Sequence, residues 1–192
     1  MDKNLPAKTR NTSWGYINYQ GEEGIPFIYD SSQPFHNGLG AISLNDKWGF
    51  VNKHGNIQIP IIYDEVKSFC SDLCSVKLNN YWGIINKSNE IVVPIIYSEV
   101  HFFEMGNFIL RLGRVWQIFD NHCKILTEFD LNIHFQYVRN ISDGFATVEL
   151  NFKKGIIDYR GTIIVPTCYD EIECFNSHFL VGRLTYVGKK KR

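Results

Sequence analysis

The sequence predicts an all-β fold, a tandem array of about five 34-residue units, each with about three short antiparallel strands. Three observations carry this. Trp-Gly pairs recur at Trp14-Gly15, Trp48-Gly49 and Trp82-Gly83, and one more step of 34 reaches Trp116. Other residues keep phase with them: Pro26, Pro60, Pro94 and Pro166 follow each start by twelve, and Tyr29, Tyr63, Tyr97 and Tyr169 by fifteen. Between them runs strand-type alternation broken by turn residues, with no sustained helical period. A fixed period of this length signals a repeat architecture, in which units stack because one alone cannot bury its apolar face.

The third unit shows the elements in order. Ser75 to Leu78 alternates as a strand, and Asn79-Asn80 is a turn signal. Tyr81 to Asn86 is a second strand, with Trp82, Ile84 and Asn86 on one face. Lys87 to Glu90 is another turn; Gly55 and Gly161 stand where Asn89 does, as a residue of positive φ requires. Ile91 to Val93 is a third strand, and Pro94 ends it or marks an edge. The segment after each Tyr-Asp pair is expected to cross to the next unit with at most one helical turn. Phe35, Phe69, Phe103, Tyr137 and Phe175 lie six residues after the Tyr column. Gly beside each Trp leaves room for a neighbouring ring or backbone. Aromatic ladders along the array would contribute about 0.5–1.5 kcal/mol per ring pair beyond burial.

The units start near residues 14, 48, 82, 116 and 154, within one domain spanning 7–187, after a lead-in at 1–6 and before a basic tail at 188–192. Ala7 to Arg10 forms the strand before the first Trp-Gly, and Phe179 to Leu184 reads as a last strand. The fourth unit departs most. Gln117 replaces Gly, Glu128 replaces Pro, Leu131 and Asn132 fall in the Tyr and Asp columns, and four extra residues precede the fifth unit. An open, solenoid-like stack fits three short strands per unit; a closed propeller-like ring is the alternative, since blades of the best-known class hold four strands in about 40–45 residues.

The string Lys47-Trp48-Gly49-Phe50-Val51-Asn52, with Gly55, Ile59-Pro60, Tyr63-Asp64 and Phe69, resembles the WG repeat, also called the KWG repeat, over roughly residues 7–187. The resemblance implies a β-rich repeat protein, found mostly in bacteria, with a binding or structural role and no catalytic residues to carry over.

Composition narrows the function classes. Formal net charge is zero, with 20 basic and 20 acidic residues, which argues against nucleic acid as partner. No segment has the run of about 18 apolar residues that membrane insertion needs. The N-terminus lacks an apolar leader, and five cysteines are an odd count, so reduced thiols and a cytoplasmic location are expected. Cys168, in the column of Ile62 and Ile96, reads as a small buried hydrophobe.

No catalytic, cofactor or metal site is assigned. Cys70 and Cys74 lack the second pair a zinc site requires. His122-Cys123 are adjacent, which seldom offers nucleophile–base geometry. The tryptophans recur in phase and so read as core, and Asp30, Asp64 and Asp170 as acceptors for backbone N–H groups of the following turn. Function is sought where units differ. Phe129, Phe135, Tyr137 and Arg139, in the irregular fourth unit, are the candidate binding residues. The expected activity is non-enzymatic binding of a protein partner through the surface of the array. Binding of carbohydrate or cell envelope is the alternative.

Overall fold

The computed structural model describes residues 5–8, 13–103, 106–130, 135–142, 144–176 and 179–183, and for 139–142, 173–176 and 179–183 the backbone course alone. Among these residues there are 21 strands and no helix, so the all-β tandem-repeat class holds. Strands β1 (Leu5–Lys8), β2 (Trp14–Ile17) and β3 (Glu23–Tyr29) form one sheet. The next comprises β4 (Ser31–His36), β5 (Leu39–Leu44), β6 (Lys47–Asn52) and β7 (Ile57–Tyr63). The third comprises β8 (Glu65–Val66), β9 (Leu73–Leu78), β10 (Tyr81–Asn86) and β11 (Ile91–Tyr97). The fourth comprises β12 (Glu99–Phe102), β13 (Phe108–Leu112), β14 (Val115–Phe119) and β15 (Ile125–Asp130). The fifth comprises β16 (Tyr137–Ser142), β17 (Phe145–Leu150), β18 (Lys153–Asp158) and β19 (Ile163–Tyr169), and β20 (Glu171–Asn176) pairs with β21 (Phe179–Arg183). Neighbours pair antiparallel in sequence order, and among the described residues no sheet closes on itself. The chain divides into two compact units, Met1–Ser98 and Glu99–Arg192. The first contains the sheets up to β11 and the second those from β12.

The segment after each Tyr-Asp pair is a strand, not a helical turn. It is the first strand of the next sheet, which raises the full sheets from three strands to four. The backbone explains why. The Asp30 N–H donates to Ser43 O and the Asp64 N–H to Lys77 O, both at 2.9 Å, so pairing with the next sheet begins at the Asp itself. A peptide group leaving one ladder is thus taken up at once by another.

One turn recurs without exception. The side-chain oxygen of Asn18, Asn52, Asn86, Asp120 and Asp158 accepts the N–H groups two and four residues on, at 2.7 to 3.2 Å. The residue three further on has positive φ: Gly21 at 82°, Gly55 at 80°, Asn89 at 63°, Cys123 at 63° and Gly161 at 88°. The other hairpin turn carries two successive positive φ values, as at Asn45-Asp46 and Asn79-Asn80, the pattern of a type I′ turn.

The Trp-Gly and Pro columns meet in one feature. In β6 against β7, Trp48 faces Tyr63 and Phe50 faces Ile59, so Pro60, Ile61 and Ile62 together face Gly49. The bulged backbone folds over the glycine: a Cβ there would lie 2.6 Å from the Ile59 carbonyl oxygen and 2.7 Å from that of Pro60. Gly15 and Gly155 meet the carbonyls of Ile25 and Val165 at 2.6 Å, and Gly83 meets the Cα of Ile95 at 2.8 Å. Pro tolerates the bulge because it lacks the N–H that a ladder would use. The room left by the glycine is filled by backbone of its own sheet, not by a neighbouring ring.

This corrects the reading of the fourth repeat. There Trp116 faces Phe129, Gln117 faces Glu128 and Ile118 faces Thr127, without a shift. Phe129 lies 13 residues after its Trp, where Tyr63 lies 15 after Trp48. Two bulge residues are missing, and with no backbone folded over position 117 a side chain fits. Phe129 and Asp130, not Leu131 and Asn132, hold the Tyr and Asp places. The insertion is residues 131–136. Tyr137 faces Glu149 as Glu99 faces Arg111, and Ile141 faces Ala146 as Phe35 faces Gly40. Tyr137 therefore belongs to the column of Glu65 and Glu99, and Ile141 to the Phe column.

Apolar clusters lie between successive sheets of each unit. Tyr16, Ile25, Tyr29, Phe35, Ile42 and Val51 pack between the first two sheets. Leu39, Ala41, Phe50, Ile59, Tyr63, Phe69 and Ile85 belong to the cluster between the second and third. Val51 and Phe50 thus face opposite ways, and both are buried: an inner sheet is covered on both faces. Rings pair edge-to-face across these layers, Tyr16 with Phe35 at 4.8 Å and Phe50 with Phe69 at 5.0 Å. The residue two after the Trp, rather than the Trp, makes these pairs.

Gly49→Ala should destabilise the first unit by about 2 kcal/mol, because its Cβ meets backbone that cannot swing away. Gln117→Ala should cost less than about 1 kcal/mol. Urea unfolding midpoints of the two variants check the difference.

Candidate functional site

The irregular stretch between β15 and β18 is where this array stops repeating itself. Of the four residues singled out there, two are core. Phe129 and Phe135 are buried, 6% and 1% exposed, with ring centroids 4.7 Å apart. They join Trp116, Phe103, Ile118, Val138 and Ile157 in the cluster between the fourth and fifth sheets. Tyr137 is 45% exposed. Arg139 lies in β16 opposite Thr147; its side chain is outside the described residues.

Sequence reasoning passed over Phe152. It occupies the β17–β18 turn with φ 63°, after Asn151 at 51°. Its side chain is 87% exposed. Asp46 and Asn80 hold the same place in earlier turns, and small polar residues accept positive φ there readily. An aromatic in that slot carries backbone strain with little burial in return. The signal available was an aromatic at a turn position otherwise held by Asp or Asn.

The two exposed rings lie towards the same end of the fifth sheet. Tyr137 is opposite Glu149, three residues before Phe152. The Gln136 N–H donates to Glu149 O at 2.6 Å, and Asn151 N donates to Gln136 Oε1 at 3.4 Å, tying the insertion to this hairpin. The site therefore presents aromatic contact area on a braced strand and a tight turn.

The ionisable groups favour structure over reaction. The Cys74 thiol donates to Lys67 O at 3.0 Å, and burial pushes its pKa up to about 12. Such a thiol stays protonated and is a poor nucleophile. Burial, and then Asp120, also raise the Cys123 thiol. The adjacent His122 and Cys123 are turn residues, their N–H groups bound to Asp120. Among the described residues no group of three or more His, Cys, Asp or Glu could hold a metal ion.

The Tyr-Asp acids do accept backbone N–H groups, though not those of the turn after them. Asp30 accepts from Asn45 and Asp64 from Asn79, both at 2.7 Å, in the hairpin of the following sheet. Asp64 also bonds Lys47, and Asp170 bonds Lys153, the lysine that precedes the repeat start. Asp64 thereby ties one sheet to the next. Cys168 is exposed, not buried, and its column explains it: Ile62 and Ile96 are each 46% exposed on the last strand of their sheets.

The tryptophans are largely internal. Trp116 is fully buried and Trp82 8% exposed, while Trp14 and Trp48 are half-buried.

The sequence model of the WG containing repeat matches residues 14–48, 48–82 and 82–116, more than half of the chain. No curated protein sequence matches it. Among solved structures the fold is similar to Kluyveromyces lactis Hsv2p, at 8% identity over 82% of this chain and 58% of that one, with a TM-score of 0.52. It is also similar to a eukaryotic initiation factor, at 14% identity over 93% of this chain and 50% of that one, with a TM-score of 0.53. These neighbours are β-propeller-like, and the chain spans between half and three-fifths of their length. At such identity the likeness concerns the fold alone.

Phe135→Ala should lower stability by about 3–4 kcal/mol through lost burial and a cavity, and Tyr137→Ala by less than about 1 kcal/mol. Chemical denaturation separates the two. The Lys47 ammonium, with the Asn79 N–H, holds the Asp64 carboxyl below its ordinary value of 3.8. A depressed carboxyl contributes stability above its unfolded pKa and loses it as pH falls through the folded value. Asp64→Asn should therefore lower Tm at pH 7, and the deficit should shrink as pH falls below 3.8. Thermal scans of both proteins across acidic pH read this out.

Proposed function

The chain belongs to the WG containing repeat family, and we propose that it is a non-enzymatic protein-binding module that works in the cytoplasm. Its contact surface is the irregular end of the array, with Tyr137 and Phe152 as anchors and Arg139 at the rim. The observation that carries this is Phe152, a ring 87% exposed on a turn of positive φ. Strain held at a site that gains no packing from it points to use elsewhere. Aromatic anchors on a rigid element are what tight protein contacts are built around, because such side chains lose little entropy on docking.

The repeat architecture supports the same reading. Successive sheets bury one another's faces, so only strand edges and turns remain for recognition. Covering the tryptophans weighs against the carbohydrate reading, which needs exposed rings to stack on sugars; two of the four are nearly or fully buried.

The test separates fold from function. Phe152→Asn relieves the turn, so Tm should rise, by the equivalent of about 1 kcal/mol. The same variant should lose the proteins that co-purify with the wild-type chain from its native host, identified by mass spectrometry. Unchanged recovery from the Phe152→Asn, Tyr137→Ala double variant overturns the assignment.

A further inference from the structure

The last strands of the full sheets and of the first sheet, β3, β7, β11, β15 and β19, are edges. An edge strand offers unpaired N–H and C=O groups to any extended chain, and proteins guard such edges with proline, bulges or short length. Four of these five are guarded in the same way. Each of β3, β7, β11 and β19 carries a Pro and is bulged, and in none do two consecutive residues keep register with the inner neighbour.

β15 has lost both devices together. It contains no Pro, and Thr127, Glu128, Phe129 and Asp130 pair with Ile118, Gln117, Trp116 and Val115 without a shift. Its backbone is straight enough to template another strand. The opposite edge of the same sheet, β12, is also regular, but all four of its residues are partly covered. In β15, Ile125 and Leu126 are 42% and 43% exposed, and Glu128 is exposed.

The side chains say what would lie there. Phe129 faces the core, so Leu126, Glu128 and Asp130 share the other face. Glu128 accepts a hydrogen bond from the neutral amide of Gln117, a contact that leaves its charge in place. An added strand would set residues directly beside these three, where opposite charges attract and like charges repel. A second copy of β15 would bring the same carboxylates alongside Glu128 and Asp130, which disfavours a dimer through this edge.

We propose that β15 is a docking edge for an extended, basic segment of a partner protein, which adds to the fourth sheet as a further antiparallel strand. The segment alternates basic residues beside Glu128 and Asp130 with an apolar residue beside Leu126. This rests on the protein-binding reading above and gives it a second place on the chain. Main-chain hydrogen bonds supply the attraction and the alternate side chains the choice of segment.

The probe is the peptide acetyl-Lys-Thr-Lys-Thr-Val-Ile-amide, titrated into the full-length, isotope-labelled chain and followed by amide NMR shifts. Shifts should centre on residues 125–130. N-methylation of one alternate set of peptide amides should abolish binding, while methylation of the other set is tolerated. Glu128→Lys should weaken the peptide about tenfold or more and bind a Glu-for-Lys version instead, since reversed charges at one contact exchange partners. Circular dichroism of that variant should be unchanged. Absence of shifts at β15, indifference to both methylation patterns, or sedimentation showing a dimer that Glu128→Lys alters would each overturn the proposal. If the peptide fails while Phe152→Asn still loses the native partner, the protein-binding reading stands without this edge.

Discussion

Each repeat turns on one side-chain oxygen. Asn18, Asn52, Asn86, Asp120 and Asp158 each receive two backbone N–H groups and thereby close the hairpin that ends in the outer strand. Asn and Asp serve equally because each places an oxygen at the same short reach from the backbone. The turn persists where almost everything else has drifted. In the fourth repeat the Gly column holds Cys123, at φ 63°, and the bonds still form. With the hairpin closed, the register of each outer strand is set from its inner end, and the bulge over the Gly must absorb whatever length remains.

That bulge is where one repeat differs physically from its fellows. Gly and Pro are a single device: the Gly yields space to carbonyls at 2.6–2.7 Å, and the Pro withholds an N–H from the edge. Losing two residues from the outer strand removes the need for both at once, which is why Gln117 and Glu128 appear together. The same change straightens β15. An architectural irregularity thereby becomes a chemical one, since a straight edge can bind and a bulged edge resists it.

Much of this was legible in the sequence. The phase of Trp, Pro, Tyr and Gly marked the units, and the Asn-Asn pair and the Gly55 column marked turns that the φ values bear out. The candidate site was half legible. The irregular fourth repeat was the right neighbourhood, but Phe129 and Phe135 are ring-packed core, because an aromatic in a strand says nothing about which face is covered. Phe152 went unnoticed since a turn position was taken as solvent-exposed without asking whether its residue suited positive φ. Tyr137 was placed in the Phe column by counting from Trp116, and counting fails where a deletion and an insertion lie between.

What the sequence determined by itself was local: period, turn chemistry and strand type, all properties of residues a few positions apart. What only the tertiary structure decided was pairing. It made the link after each Tyr-Asp pair a fourth strand, because the Asp N–H finds its acceptor about 13 residues ahead, on Ser43 or Lys77. It showed both faces of an inner sheet buried, since cover comes from the sheets on either side. It also moved the fourth repeat's register by two residues. A ladder partner depends on which backbone groups meet in space, and one linear pattern is compatible with several registers until those groups are paired.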